Sequence, residues 1–307
     1  MLHGTRRKQA GSFDDASHLT VGVLSRKNED DMDTHPLGQP IARGRTADVY
    51  AWEERYVLKL FHGWCDRASI ECEARIARAV HAWGLPVPAV GDILEVNGHT
   101  GLVYERLDGP PLLEMLQRKP WRLCEYAKRL AQLQVELHAV SVTAELPAQR
   151  QRLESRIRRA AALPADAHAG ALAALASMPD GEQLCHGDFH PANILMTPQG
   201  ERIIDWIDAS RGNPLADVAR TTIIILGCTQ SESSLHPLRK VLIRIFHHTY
   251  LRHYFFLRSR GWEEYRYWLP IIAAARLSEN IADVERWLVG QALTSRPMPR
   301  LPSDPGI

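Results

Sequence analysis

Cysteine is scarce and shows no pairing pattern: Cys65, Cys72, Cys124, Cys185 and Cys228 are five residues in 307, and no two form a C-x-x-C unit. An odd, scattered set excludes a disulfide framework and a zinc-ribbon site, and it predicts reduced thiols. Long apolar runs are also missing. The densest, around residues 223–226, falls far short of the ~20 residues that span a bilayer. Residues 1–10 are polar and basic, without the apolar centre of a secretory signal. Charge of one sign is lacking too, since 37 Lys and Arg face 36 Asp and Glu for a formal +1. Such a chain projects no global field toward nucleic acid or a membrane. These absences predict a cytoplasmic protein with neither as a partner.

Composition is otherwise that of a soluble globular chain, 45% hydrophobic and 24% charged. Residues 1–35 carry no sustained period and are predicted to be a flexible tail, with a short helix near 13–24. A second loose end is predicted over 295–307, where four prolines fall in thirteen residues. From 36 to 107 the pattern is mostly β, with short runs at 49–52, 56–61, 91–96 and 101–106. Asn97-Gly98 is a strong hairpin signal between the last two. One helix interrupts them over 67–83, closed by Gly84, Pro86 and Pro88. With a hairpin expected around 41–50, the lobe is expected to hold a five-stranded sheet plus one helix.

After Gly109-Pro110-Pro111 the period becomes helical, over 121–140, 150–162, 165–178, 215–226, 236–258 and 263–288. The expected fold is therefore α+β and bilobal, with a small β-rich lobe and a larger, mainly helical lobe over 108–294. Clefts between such lobes are common sites of chemistry.

One non-helical island, residues 184–206, concentrates polar groups. It contains His186-Gly187-Asp188-Phe189-His190-Pro191-Ala192-Asn193, then an apolar run to Thr197, Pro198-Gln199-Gly200, and Glu201-Arg202-Ile203-Ile204-Asp205-Trp206. Two apolar runs around a three-residue turn predict an antiparallel hairpin pairing Thr197 with Glu201, Leu195 with Ile203, and Asn193 with Asp205. Directly opposed Cβ atoms lie about 4.5–5.5 Å apart, so an amide and a carboxylate would project together. Those hard oxygens suit Mg²⁺ better than zinc. The H-x-D-x-x-x-x-N spacing of His186, Asp188 and Asn193 matches the loop used in phosphoryl transfer, where the Asp meets the hydroxyl proton and the Asn holds metal.

The island resembles the Brenner motif of the aminoglycoside phosphotransferase and choline kinase family, which has the protein-kinase-like fold. The resemblance implies ATP and Mg²⁺ as cofactors and a small-molecule hydroxyl as acceptor. It implies that Asp188 is the catalytic carboxylate, that Asn193 and Asp205 are Mg²⁺ ligands, and that His186 braces the loop. His190 is either a turn residue or a substrate contact. Asp208 lies just beyond the metal strand. Asp217, in Asp217-Val218-Ala219, is implied to support the catalytic loop.

Phosphoryl transfer also needs a cation on the nucleotide phosphates and an acid to hold it. Lys59 is a lone charge inside an apolar strand, where an unpaired ammonium is costly. Of the two acids on the following helix, Glu73 shares the face of Ile76, Ala77 and Val80, and Glu71 shares the wet face, so Glu73 is the expected partner. The turn Gly44-Arg45-Thr46 lies where a nucleotide-covering hairpin belongs, but it lacks G-x-G-x-x-G. The resemblance further implies that backbone groups between Glu105 and Leu107 bind adenine.

Residues 231–300 hold eleven Lys and Arg against six Asp and Glu, which disfavours a polycationic acceptor. The aromatics Trp262, Tyr265, Tyr267, Trp268 and Trp287 fit helix packing or a sugar-stacking cleft. Two other readings compete with phosphotransfer. One is a nucleotide-binding regulator without turnover. The other is a metallohydrolase using His186, Asp188, His190, Asp205 and Asp208.

Overall fold

The computed structural model describes residues 37–142, 146–230 and 236–298. The helix expected near 13–24, the tail over 1–35 and most of that after 295 lie outside the described residues. Among those described, no helix is long and apolar enough to cross a membrane.

Strands β1 (Ala42–Arg43), β2 (Ala47–Trp52), β3 (Tyr56–Phe61), β4 (Val90–Val96) and β5 (His99–Glu105) form one antiparallel sheet in the order β1-β2-β3-β5-β4. The β4–β5 hairpin closes through Asn97 (φ 51°) and Gly98 (φ 73°), both left-handed, so that Val96 faces His99 across a two-residue loop. Helix α1 (Arg67–Ala82) starts where the Asp66 side chain accepts the Ser69 N–H at 2.8 Å. Its inner face carries Ile70, Ala74, Ile76, Ala77 and Val80, with Glu73 buried among them.

The chain then leaves the sheet through Gly109. A Cβ there would collide with the Met196 carbonyl, so only glycine lets the connector pass this close. Pro110 accepts the Met196 N–H at 2.9 Å, which pins the connector to the second lobe. That lobe is built from α2 (Leu112–Arg118), α3 (Leu123–His138), α4 (Gln149–Arg158), α5 (Ala165–Ser177), α6 (Pro214–Gly227), α7 (Pro237–Arg258), α8 (Trp262–Arg276) and α9 (Ala282–Ala292). Helix α3 lies along α7, and α6 along α8, around a core that includes Leu130, Leu137, Phe189, Tyr250, Tyr254 and Trp268.

Three sequence expectations change. The hairpin of β7 (Ile194–Thr197) and β8 (Gly200–Ile203) turns on two residues, so Thr197 pairs with Gly200, and Leu195 with Arg202 instead of Ile203. Thr197 causes the tightening: its Oγ1 donates to the Gly200 carbonyl at 2.7 Å and accepts the Gln199 N–H at 3.3 Å, while Gly200 takes φ 103°. The island also reaches further than expected, because β6 (Gln183–Cys185) pairs with β9 (Ser210–Gly212). Finally, the helix expected over 263–288 breaks after Arg276. A 3₁₀ turn, Leu277–Glu279, and left-handed Asn280 (φ 52°) separate α8 from α9.

The aromatic group of the last helices is largely packing. Trp268 and Tyr265 are buried, and Phe255 meets Trp262 and Tyr265 edge-on. Nearby, His247 of α7 lies 3.1 Å from Thr222 Oγ1 on α6, and burial lowers its pKa from 6.5 to about 4. A depressed folded-state pKa gives stability that is complete above the unfolded value and declines as pH falls from ~6.5 toward ~4, by at most about 3 kcal/mol. Urea unfolding across that window should show the decline, and His247→Gln should flatten it.

Candidate functional site

Asp217, one turn into α6, organises the island. Its carboxylate is 1% exposed. It accepts the backbone N–H groups of His186 (3.2 Å) and Gly187 (2.6 Å), and the side chains of Gln134 (3.0 Å) and His138 (3.0 Å). His138 Nδ1 accepts from the Tyr254 hydroxyl at 2.7 Å, so its proton sits on the nitrogen that faces Asp217. Burial alone would raise the Asp217 pKa, but these donors hold it below the ordinary range.

The same face of α6 continues upward at helical spacing. Arg220 Nε donates to the Gly187 carbonyl at 3.0 Å, and Thr221 Oγ1 to the Phe189 carbonyl at 2.9 Å. Positions 217, 220 and 221 thus grip residues 186–189 as a unit. Gly187 is required there: it has φ 78°, and a Cβ would lie 2.5 Å from the Asp208 carbonyl.

His186 is fully buried and has no access to substrate. Its Nε2 donates to the Ile204 carbonyl (3.1 Å) while Nδ1 accepts the Asp188 N–H (3.2 Å), and burial lowers its pKa, keeping it neutral. It therefore ties the loop to the strand end that carries Asp205. Asp188 itself is partly exposed. Burial opposes its charge, but the adjacent His190 (3.3 Å) and the Arg220 guanidinium (3.9 Å) hold its carboxyl well below the ordinary value. His190 Nδ1 accepts the Ala192 N–H at 3.3 Å, which leaves Nε2–H to face Asp188.

Asn193 and Asp205 lie on neighbouring segments, but not as cross-strand partners. Asn193 ends a 3₁₀ turn, Pro191–Asn193, before β7, and Asp205 lies two residues beyond β8. They are adjacent because the Ile204 N–H donates to the Asn193 carbonyl at 3.0 Å. Asp205 takes φ 65°, uncommon for any residue but glycine and best tolerated by Asn and Asp. The Asn193 amide nitrogen donates to the Asp188 carbonyl (2.9 Å) and carboxylate (3.1 Å), so its oxygen is turned away and left as an acceptor. An amide oxygen and a carboxylate 40% exposed, carried on hydrogen-bonded neighbouring segments, are hard oxygen donors of the kind that suits a magnesium ion.

From the other lobe, Lys59 of β3 reaches both Glu73 Oε1 (2.6 Å) and Asp205 Oδ1 (3.1 Å). Burial disfavours its charge, but Asp205 and Glu73 outweigh burial and raise its pKa. Tyr104 donates to the same Glu73 oxygen at 3.0 Å. Burial nevertheless pushes Glu73 upward, against the pull of Lys59 and Tyr104.

The remaining expected positions divide. Gly44–Thr46 form the β1–β2 turn, with Gly44 N–H on the Ala47 carbonyl at 2.9 Å. The Glu105 N–H is engaged by Ala89 (2.9 Å), its carboxylate accepts the Ala89 N–H (3.0 Å), and the Arg106 N–H is engaged by Arg55 (2.9 Å). The amides of 105 and 106 are therefore not available to a ligand. Leu107 follows them and has no such bond among the described residues. Asp208 pairs with arginines, Arg156 (2.5 Å), Arg152 (3.6 Å) and Arg220 (3.9 Å).

Sequence reasoning missed Arg220, Thr221, Gln134 and His138. The available signal was the polar pair Arg220-Thr221 at three and four residues from Asp217, inside an otherwise apolar helix. Asp217→Asn leaves two buried backbone donors and His138 facing an amide. It should cost about 3–5 kcal/mol in urea unfolding, with loss of hydrogen-exchange protection at residues 186–189.

The phosphotransferase enzyme family (APH) matches residues 38–268. No curated protein sequence matches. Among solved structures, a thermostable mutant of aminoglycoside phosphotransferase APH(4)-Ia superposes with a TM-score of 0.58 at 18% identity, covering 84% of this chain and 92% of that one. Aminoglycoside phosphotransferase APH(2'')-Ib, with ADP bound, gives 0.54 at 15% identity, covering 85% and 93%. A choline/ethanolamine kinase family protein from Mesorhizobium loti gives 0.51 at 19%, covering 84% and 86%. The fold is that of the protein-kinase-like phosphotransferases, and with the family match spanning well over half its length, the chain belongs to the phosphotransferase enzyme family.

Proposed function

We propose that this protein transfers the γ-phosphate of Mg·ATP to a hydroxyl of a small molecule. The observation that carries the reading is the meeting of Lys59, held by Glu73, with Asp205 of the opposite lobe, beside the loop that bears Asp188 and Asn193. Membership in the phosphotransferase family supports it. So do related folds solved with AMP-PNP and hygromycin B, and with ADP.

In this reading Lys59 binds the nucleotide phosphates, the Gly44–Thr46 turn covers them, and the adenine meets the backbone near Leu107. The Asn193 amide oxygen and the Asp205 carboxylate would hold magnesium, which would supply charge neutralisation for the phosphate. Asp188 stays ionised, orients the acceptor hydroxyl and receives its proton. His190 Nε2–H and the Arg220 guanidinium fix the Asp188 carboxylate. Catalysis then rests on positioning and electrostatics more than on covalent chemistry.

Asp208 and Glu279, which share Arg220 with Asp188, are both already paired with arginines. They do not offer the open carboxylate lining that a polycationic aminoglycoside needs. The metallohydrolase reading loses support because two of its five side chains are engaged elsewhere. Both His186 nitrogens are engaged by the backbone, and Asp208 turns to arginines. A regulator without turnover would not require Asp188 to be held ionised, whereas the geometry preserves it.

The test is ADP release from Mg·ATP with purified protein against aminoglycosides, macrolides, choline, sugars and amino-alcohols. With the acceptor found, Asp188→Ala should lower kcat by about 10²–10⁴-fold while Mg·ATP affinity changes little. A variant that keeps near-normal turnover removes Asp188 from the mechanism.

A further inference from the structure

The break between α8 and α9 has a chemical result. In a continuous helix the Glu279 carbonyl would accept the N–H four residues on. Here the Asn280 N–H turns back to Leu277 (3.2 Å) and the Val284 N–H to Ile281 (3.2 Å), and the chain passes through left-handed Asn280. The Glu279 carbonyl instead accepts Arg45 Nη1 at 3.2 Å, from the β1–β2 turn of the other lobe.

Its side chain points the opposite way. Glu279 Oε1 lies 2.5 Å from Arg220 Nη2, and Oε2 lies 3.9 Å from Arg276 Nε. Arg220 in turn donates to the Gly187 carbonyl at 3.0 Å and stands 3.9 Å from Asp188 Oδ1. One residue therefore holds the turn over the nucleotide side with its backbone and the Asp188 loop with its carboxylate.

We infer that Glu279 is a positioning residue that couples the seating of the Gly44–Thr46 turn to the orientation of the Asp188 loop. The inference rests on the Mg·ATP reading above. The carboxylate is 12% exposed, so its ion pair is weakly screened. Burial opposes its charge, yet Arg220 and Arg276 keep its pKa below the ordinary range. Neutralising it leaves Arg220 buried between Asp188 and Asp208 with no third acid. The guanidinium then shifts toward those two, and the 3₁₀ turn that aims the Glu279 carbonyl at Arg45 loses its anchor. Arg45 is exposed, and the hydrogen bond of its side chain to that carbonyl is weak alone, so the seating of its guanidinium depends on that aim.

The experiment is titration calorimetry with Mg·ATP on the full chain and on Arg45→Ala, Glu279→Gln and the double variant, with thermal midpoints measured alongside. Arg45→Ala should weaken Mg·ATP about tenfold, and Glu279→Gln, although remote from the nucleotide, about fivefold or more. The double variant should be no weaker than Arg45→Ala alone within about twofold, because both substitutions break one path. Arg45→Lys, which still reaches the carbonyl, should restore most of the affinity. Multiplying factors, or Glu279→Gln binding like the unaltered protein, would overturn the coupling and leave the phosphotransferase reading standing. An unaltered protein that binds no Mg·ATP overturns that reading itself. If Glu279→Gln does not fold, Arg45→Ala still decides. Mg·ATP should then slow hydrogen exchange at residues 186–189 less than in the unaltered protein, and equal slowing refutes the coupling.

Discussion

Lys59 is held by acids from two lobes, and that contact gives the rest of the site its shape. An ammonium inside an apolar strand is costly unless charge surrounds it. Glu73 meets it from the helix packed on the sheet, and Asp205 from beyond the β7–β8 hairpin. The contact with Asp205 requires that a strained backbone position be tolerated in one lobe and that the other lobe approach to hydrogen-bond distance. The connector at Gly109 makes that approach possible by passing against the Met196 carbonyl.

Beneath that contact lies a second layer that touches no ligand. Asp217, Arg220 and Thr221 bind residues 186, 187 and 189 of the Asp188 loop from one helix face, and His186 binds the loop to the strand end before Asp205. Placing these supports on a helix and in the core, with Asp188 on a loop, gives that loop a rigid backing. The ionised state of Asp188 follows from the same arrangement, through His190 and Arg220.

Much of this was legible in the sequence where a period or a turn dictates the outcome. The β-rich start, the Asn97-Gly98 hairpin and the inward face of α1 follow from alternation, left-handed turn residues and 3.6-residue spacing. That spacing alone distinguishes Glu73 from Glu71. The β7–β8 register was not legible, because a Thr197 hydroxyl bond shortens the turn by one residue, and one residue reverses every facing pair. The gap between α8 and α9 carries no glycine or proline to announce it, and only Asn280 marks the place. Arg220 and Glu279 read as ordinary helical polar residues because their partners lie 33 and 234 positions away. Contacts at that separation are decided by tertiary packing and leave no local trace.

The central claim is that the two lobes together form a seat for a metal-bound nucleotide, with Lys59 on its phosphates. Titration calorimetry of ATP with magnesium, ATP with EDTA, and Mg·ATP on Lys59→Met addresses it directly. The account expects saturable binding with magnesium, loss of at least about tenfold in affinity without it, and a comparable loss in a folded Lys59→Met protein. Affinity indifferent to both the metal and Lys59 would contradict it.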